Sequence, residues 1–444
     1  MEQFKIKLNT FFTKIDSYAK TDVKYLIKGS FWLTSANLIT SVIVLATSIV
    51  FANHIPPETY GIYKYFISIL GILSISTLSG IGSTISQAVS RGLEGSLFTG
   101  LKIKILYGLF GSLASTIIGI YYALNGNIEL AIVFGIAAFF IPFMDSFHIY
   151  QNYLQGKKIF DKSSIYISIS QVFASSIMIV TVFLTSNLYI ILSSYLISWT
   201  CIRIFFFLKT ITIYPPNKLV DPKTIPLGKH SSYIDIIATL IGSLDSILIF
   251  HFLGSIQLAV YSFAIAPVTQ IVSLFRNIPT LATPKLANRP VKEIDELLFK
   301  RILIVAGVAA IIFITYILSA QYIYEIFFPK YLDSVIISKV YALTILISIP
   351  ITILSSAVNA KITYFSKRSL YLWNIPGALS TIFMLITIQS LGILSVVYAR
   401  IILLVTTAIM SYLFWLYVVK KDSKNNKINP LDTNKEFQIH NDPD

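Results

Sequence analysis

Twelve apolar segments, each long enough to cross a lipid bilayer as a helix, account for most of the 444 residues. A span needs about 20 mainly apolar residues, and backbone in hydrocarbon must satisfy its own hydrogen bonds, so segments of this length are restricted to helices. We therefore predict an all-α integral membrane protein. The predicted spans are 31–52, 61–88, 103–124, 130–152, 165–186, 188–208, 231–252, 256–284, 302–320, 335–357, 369–388 and 391–418.

Composition excludes the soluble classes. Charged residues make up 13% of the chain, against about 25% in soluble proteins, and the mean hydropathy is +0.73. A net charge of +14 in a soluble protein would suggest nucleic-acid binding. Here the basic residues lie between apolar spans, so we expect no nucleic-acid partner.

The placement of Lys and Arg predicts the orientation in the membrane. The N-terminal segment, the even-numbered loops and the C-terminal tail hold 30 of the 35 basic residues, whereas the odd-numbered loops hold only Lys330. In this count Lys104 and Arg203 belong to the even-numbered loops. Because basic loops stay on the cytoplasmic side, we predict a multi-pass protein of the cytoplasmic membrane with both termini in the cytoplasm.

The chain divides into two halves of six spans. We predict an amphipathic, Lys-rich segment on the membrane surface, an N-terminal lobe, a proline-rich cytoplasmic linker, a C-terminal lobe and a polar cytoplasmic tail, over residues 1–29, 30–208, 209–230, 231–418 and 419–444. The halves align without a gap at an offset of 198 residues, which places Gly61 on Ala259. Two halves of the same topology favour a transporter with a central cleft.

Four stretches carry a family resemblance: KGSFW from Lys28, PPETYGIY from Pro56, LSGIGSTIS from Leu78, and LDSILIFHFLGSIQLAVYSFAIAP from Leu244. They resemble the Wzx-type polysaccharide transporters, a family of the multidrug/oligosaccharidyl-lipid/polysaccharide exporter superfamily. The resemblance implies a MATE-like fold and a flippase that moves polyprenyl-pyrophosphate-linked oligosaccharide outward for surface polysaccharide biosynthesis. It also implies lipid-linked oligosaccharide and membrane lipid as partners, with other polysaccharide-assembly proteins as candidates.

Polar residues at helical spacing mark three candidate sugar-binding faces, in the first, second and fifth spans. In the second span, Ser76, Ser79, Ser83, Ser86 and Ser90 recur at steps of three and four beside Gln87, which predicts one continuous polar face. The alternative is that small residues simply let membrane helices pack closely. The candidate sugar-binding residues are Asn37, Ser76, Ser83, Gln87 and Gln171.

Ionisable residues within spans are costly and usually face the protein interior. We take Arg276 and Arg400 as candidates for binding pyrophosphate, because guanidinium binds such groups bidentately. The candidates for proton or cation coupling are Asp145, Asp235 and Asp245. The alternative is structural ion pairing, of Asp235 with Arg276 and of Asp245 with Arg400. Lys64 is expected to extend to the outer interface.

Two other functions stay open. A cation-coupled drug or organic-cation antiporter would share the fold, and the three aspartates permit it, whereas the two arginines favour an anionic substrate. A polymerase or ligase of the same pathway would need a large outer loop, and the longest here is about 321–334. With one cysteine, five scattered histidines and no P-loop, we expect no metal, no cofactor and no enzyme activity.

Overall fold

The computed structural model describes residues 23–287, 289–365 and 372–428, and this part of the chain is helical without strands. Most of the predicted amphipathic segment and the tail beyond residue 428 lie outside the described residues. In these described residues eleven helices are long and apolar enough to cross a membrane, and one bent helix pair, taken as one span, makes twelve. The predicted all-α membrane fold is confirmed.

We label the spans α1 to α12 and give a break within a span the suffixes a and b. Their bounds are α1 Val23–His54, α2a Pro57–Ser74, α2b Ile81–Ser90, α3 Ser96–Leu124, α4a Ile128–Met144, α4b Tyr150–Gly156, α5 Phe160–Leu184, α6 Leu188–Ile213, α7 Thr224–Leu253, α8a Ser255–Ser273, α8b Ile278–Ala287, α9 Val291–Phe327, α10a Ser334–Tyr341, α10b Leu343–Ala360, α11 Ile375–Leu391 and α12 Ile393–Ile428.

We group the spans as an N-lobe, α1–α6, and a C-lobe, α7–α12, following the division expected from the sequence. Packing within each lobe is extensive, whereas contact between the lobes is concentrated where α1 and α2 meet α7 and α8a. Most buried apolar clusters belong to one lobe, such as the cluster around Phe134 and Leu196 and the cluster around Trp415. The two groups of spans therefore meet mainly along one seam, formed by α1 and α2 with α7 and α8a.

The linker is shorter than predicted because α6 continues to Ile213 and α7 already begins at Thr224. It is fastened to the N-lobe, since Gly95 N–H donates to Leu219 O over 2.8 Å and Arg91 forms an ion pair with Asp221. The backbone N–H of Lys223 donates to Asp221 and, with the Arg91 guanidinium, holds the pKa of that carboxyl below its ordinary value. We call this end of the bundle, with its Lys- and Arg-rich loops, the basic end.

Four spans predicted as continuous helices, α2, α4, α8 and α10, are broken in the described residues, and the breaks in α2 and α8 correspond to each other. Residues 75–80 interrupt α2, where Leu78 has φ of 58° and the two helical parts meet at a 48° bend; residues 274–277 interrupt α8. The offset of 198 residues places α2a on α8a and α2b on α8b within one residue. The break is thus a shared feature of both halves, and it leaves backbone polar groups outside regular helix within the membrane span.

The end opposite the basic end is closed by aromatic side chains from both lobes. Tyr60 of α2a stacks on Phe263 of α8a with ring centroids 4.1 Å apart, within a buried cluster that also includes Phe328 and Tyr331. Gly61 lets the two backbones meet, because a Cβ at this position would lie 1.9 Å from the Ser255 carbonyl oxygen. The lobes can touch here only while residue 61 has no side chain.

Gly61→Ala is expected to lower the melting temperature of the purified protein. The added methyl group forces the helices apart, and overpacking of this kind costs about 1–3 kcal/mol. Gly135→Ala is the matched control, because a Cβ there meets nothing within 4 Å and alanine favours the helix. Equal melting temperatures for Gly61→Ala and wild type would contradict the close approach.

The orientation inferred from the charges can be tested by cysteine labelling in a Cys201→Ser background. Cysteines replacing Asn127 or Asn187, both exposed at the non-basic end, should react with an impermeant maleimide added outside intact cells. A cysteine replacing Lys218 in the linker should react only after the membrane is opened. Labelling of the first two sites only after opening would reverse the predicted orientation.

Candidate functional site

The C-lobe encloses a cavity of about 430 Å³ between α7, α8, α10 and α12. Both predicted pyrophosphate-binding residues line it: Arg276 from the break in α8 and Arg400 from α12. Asp245, Tyr261 and Tyr341 share the same walls. The structure thus places residues from distant parts of the sequence at one polar site, which we call the C-lobe cavity.

Asp245 and Arg400 form an ion pair, as one of the two sequence-based interpretations predicts. The Tyr261 hydroxyl donates to Asp245 Oδ2 over 2.8 Å, and Arg400 Nη2 donates to the Gly242 carbonyl over 3.0 Å. The Asp245 side chain is 9% exposed and that of Arg400 is 21% exposed. A mostly buried pair of this kind depends on such additional hydrogen bonds, because taking two charges out of water is expensive.

Arg276 has a different environment. Within the described residues no carboxylate lies within 4.0 Å of it, so the predicted pair with Asp235 is not formed. Asp235 instead accepts a hydrogen bond over 2.8 Å from Ser79 Oγ, across the seam between the lobes. The predicted pair is not formed because Arg276 lies in the turn after α8a and not within a continuous helix. The C-lobe cavity therefore carries one positive charge that is not neutralised by an ion pair.

The N-lobe contains a second polar site, a cavity of about 240 Å³ lined by residues including Thr77, Lys104, Asp145 and His148. We call it the polar N-lobe cavity. Asp145 forms an ion pair with Arg203 over 2.7 Å, and Arg203 also donates to the Met144 carbonyl over 2.8 Å. Asp145, a predicted coupling residue, is thus neutralised by an arginine, as Asp245 is.

The assignment of Lys104 and Arg203 to loops is wrong. Lys104 lies in α3 and is 5% exposed, and its Nζ donates over 3.1 Å to the Thr77 carbonyl in the α2 break. Arg203 lies in α6 with its side chain 14% exposed. The flanking residues carry a usable signal, because Arg203 follows Cys201 and Ile202 and precedes Ile204 and three phenylalanines. A lone charge so enclosed by apolar residues indicates a position within a span.

The five candidate sugar-binding residues do not form one surface. The break turns Ser76 toward Gly111 of α3, whereas Ser83 and Gln87 lie exposed on α2b. Asn37 is half-buried on α1, and Gln171 of α5 lines a third cavity. The predicted continuous polar face of the second span is therefore interrupted, because Leu78 adopts a left-handed conformation that an unbroken helix excludes.

A family model described as polysaccharide biosynthesis protein matches residues 26–284, more than half of the chain. The chain belongs to this family. The match confirms the resemblance to Wzx-type transporters that the sequence motifs indicate. It covers the whole N-lobe, the linker and the first part of the C-lobe, including both helix breaks.

Solved structures with the same fold come from the exporter superfamily. An inward-facing multidrug resistance MATE transporter gives a TM-score of 0.62 at 13% identity, covering 89% of this chain and 99% of the other. The lipid II flippase MurJ, in an inward closed conformation, gives 0.62 at 15% identity, covering 93% of each chain. At these identities the likeness establishes the MATE-like fold. No functionally curated relative matches the sequence.

Asp245→Asn separates the structural and transport interpretations of the Asp245–Arg400 pair. We expect the variant to fold, because the amide oxygen can still accept from Tyr261, and to lose at least about tenfold in transport rate. The double variant Asp245→Asn/Arg400→Gln removes both charges and should melt like wild type while remaining inactive. Loss of folded protein in the single variant, with recovery of activity in the double variant, would favour a purely structural pair.

Proposed function

We propose that this protein is a flippase that moves a polyprenyl-pyrophosphate-linked oligosaccharide from the cytoplasmic to the outer leaflet by alternating access. The observation that carries the proposal is the meeting of Arg276 and Arg400 in one cavity of the C-lobe. Family membership supports a lipid-linked substrate, and the MATE-like fold supplies two lobes about a central cleft. Other polysaccharide-assembly proteins are candidate partners.

The two arginines suit pyrophosphate in complementary ways. Arg400 is held in position by Asp245 and by the Gly242 carbonyl, so little side-chain entropy remains to be lost when an anion binds. Arg276 brings a charge without a carboxylate partner, and it lies in a helix break where the backbone can adjust. Together they can hold an anionic head in a site that is otherwise rich in hydroxyl groups.

The helix breaks suit a glycan that must cross without being desolvated. Each sugar hydroxyl that enters hydrocarbon unpaired costs several kcal/mol, so the protein must offer polar partners along the route. Ser79 and Thr239 lie beside Asp145 and Lys104 in the polar N-lobe cavity, at the α2 break and on the facing α7. Hydroxyl and amide groups of this kind bind sugars without strong selectivity, while the polyprenyl tail stays in the bilayer.

Coupling to a proton or cation gradient is part of the proposal. Asp145 and Asp245 are engaged with arginines, whereas Asp235 is exposed and, among the described residues, its carboxylate accepts from the Ser79 hydroxyl of the opposite lobe and forms no ion pair. Protonation of Asp235 would weaken a contact across the seam between the lobes. Asp235 is thus the carboxylate best placed to link an ion to lobe movement.

Reconstitution of the purified protein into liposomes that contain a fluorescent polyprenyl-pyrophosphate-linked oligosaccharide tests the function. Active protein should expose the glycan of the inner leaflet to an external lectin, whereas empty liposomes should not. In cells, depletion should leave this intermediate on the cytoplasmic face and stop surface glycan assembly. Normal glycan export together with accumulation of cationic drugs would instead establish the antiporter.

Arg276→Lys and Arg276→Met should differ in this assay. We expect lysine to retain part of the transport rate because it keeps the charge, and methionine to lose about tenfold or more because one charge-assisted hydrogen bond is worth about 1.5–3 kcal/mol. The same pair of changes at Arg301, an exposed arginine on α9 outside the cavities, serves as the control. Equal rates for the lysine and methionine variants at position 276 would exclude a role for its charge.

A further inference from the structure

The N-lobe holds a further cavity, of about 240 Å³, between α1, α2a, α5 and α6. We call it the aromatic N-lobe cavity, because Tyr60, Tyr63, Tyr195 and Trp199 line it. Two polar side chains, Lys64 and Gln171, lie among these rings. None of these residues lines the C-lobe cavity or the polar N-lobe cavity, so the aromatic N-lobe cavity is a separate site.

Lys64 is the unusual member of this set. It lies two turns into α2a, and its Nζ is 5.8 Å from the centroid of the Tyr60 ring. In the described part of the chain no carboxylate lies within 4.0 Å of it. Instead of reaching the outer interface, it lines a cavity inside the lobe. A lysine within a span without a counter-ion is costly, and the cost is recovered when an anion occupies the cavity.

The remaining polar groups present acceptors to a ligand. The hydroxyls of Thr47 and Ser48 donate to the carbonyls of Ile43 and Val44, over 2.8 and 2.9 Å. Each hydroxyl oxygen therefore keeps lone pairs that can accept a further hydrogen bond. Gln171 Nε2 donates to Ser175 Oγ over 3.0 Å, which leaves the Gln171 carbonyl oxygen to accept. A ligand that donates several hydrogen bonds and carries one negative charge complements this lining.

A sugar acid has this chemistry. Its hydroxyls can donate to Thr47, Ser48 and Gln171, its carboxylate can bind Lys64, and the apolar face of its ring can pack on the aromatic side chains. The volume of about 240 Å³ lies below the roughly 300–1,000 Å³ of drug-sized pockets, so the cavity takes one sugar residue and not a whole oligosaccharide.

We propose that the aromatic N-lobe cavity binds one carboxylate-bearing sugar residue of the transported glycan and so selects acidic glycans. This inference rests on the proposed flippase function, which puts the pyrophosphate in the C-lobe and the glycan within reach of the N-lobe. A uronic acid in the repeating unit is the substrate feature that Lys64 recognises.

Binding of small glycosides to the purified full-length protein tests the inference without transport. The probes are methyl glucuronide and methyl glucoside, which differ only in the carboxylate, and inorganic phosphate. Trp199 is one of four tryptophans and lines the cavity, so the part of a fluorescence change that is lost in a Trp199→Phe variant reports occupancy. We expect the wild type to bind the glucuronide about tenfold or more tightly than the glucoside, because of one charge-assisted contact.

Lys64→Met should reduce this preference to about one, whereas the control Lys339→Met, which removes a lysine from α10a outside the cavity, should retain it. Two results would overturn the inference: equal binding of the two glycosides by the wild type, or phosphate binding as tightly as the glucuronide, which would indicate a site for a phosphate group. Either result leaves the liposome assay for the flippase function unaffected.

Discussion

The corresponding breaks in α2 and α8 are the structural constraint on which the polar N-lobe cavity and the C-lobe cavity depend. Backbone groups that leave a regular helix inside a bilayer must find other partners, because no water is available in hydrocarbon. In the N-lobe, the buried amine of Lys104 donates to the Thr77 carbonyl in the α2 break. In the C-lobe, the turn after α8a tightens through bonds such as that from Arg276 N–H to the Ser273 carbonyl. Polar groups therefore gather at these breaks, and the polar N-lobe cavity and the C-lobe cavity lie beside them.

The fold could be predicted from the sequence because it depends on simple features that are distributed along the whole chain. Span length and loop charge suffice to predict about twelve membrane-spanning helices. The breaks could not be read, because hydropathy does not distinguish a continuous apolar helix from an interrupted one. Leu78 gives no warning of its left-handed conformation, since leucine is a residue that usually avoids it. The predicted linker is longer than the observed one, because α6 and α7 continue beyond their apolar stretches through polar residues such as Lys209 and Lys229.

Ion pairs of the site were predictable where the depth of two residues in the membrane alone decides whether they meet. Asp245 and Arg400 lie at similar distances from the same end of the bundle, so their pairing follows from counting residues along two helices. The pair of Asp235 with Arg276 fails because Arg276 lies in the turn that interrupts α8, so its position does not follow from counting along a continuous helix. Lys104 and Lys64 line cavities, and Arg203 pairs with Asp145 of the polar N-lobe cavity. None of these roles could be predicted, because a charge near a predicted span end is assigned to the interface by default. Only packing shows that these three side chains turn into the lobes.

The linker has a mechanical consequence. Because it is fastened to the N-lobe as far as Asp221, almost no free chain remains before α7 begins at Thr224, so the C-lobe is tethered at the basic end of that helix. With 30 residues at about 1.5 Å each, α7 is a lever roughly 45 Å long. Tilting such a lever by about ten degrees about its tethered end displaces the far end by roughly 8 Å. That arc is wide enough to separate the stacked rings of Tyr60 and Phe263, so under the proposed alternating access a small rotation at the basic end would open the opposite end.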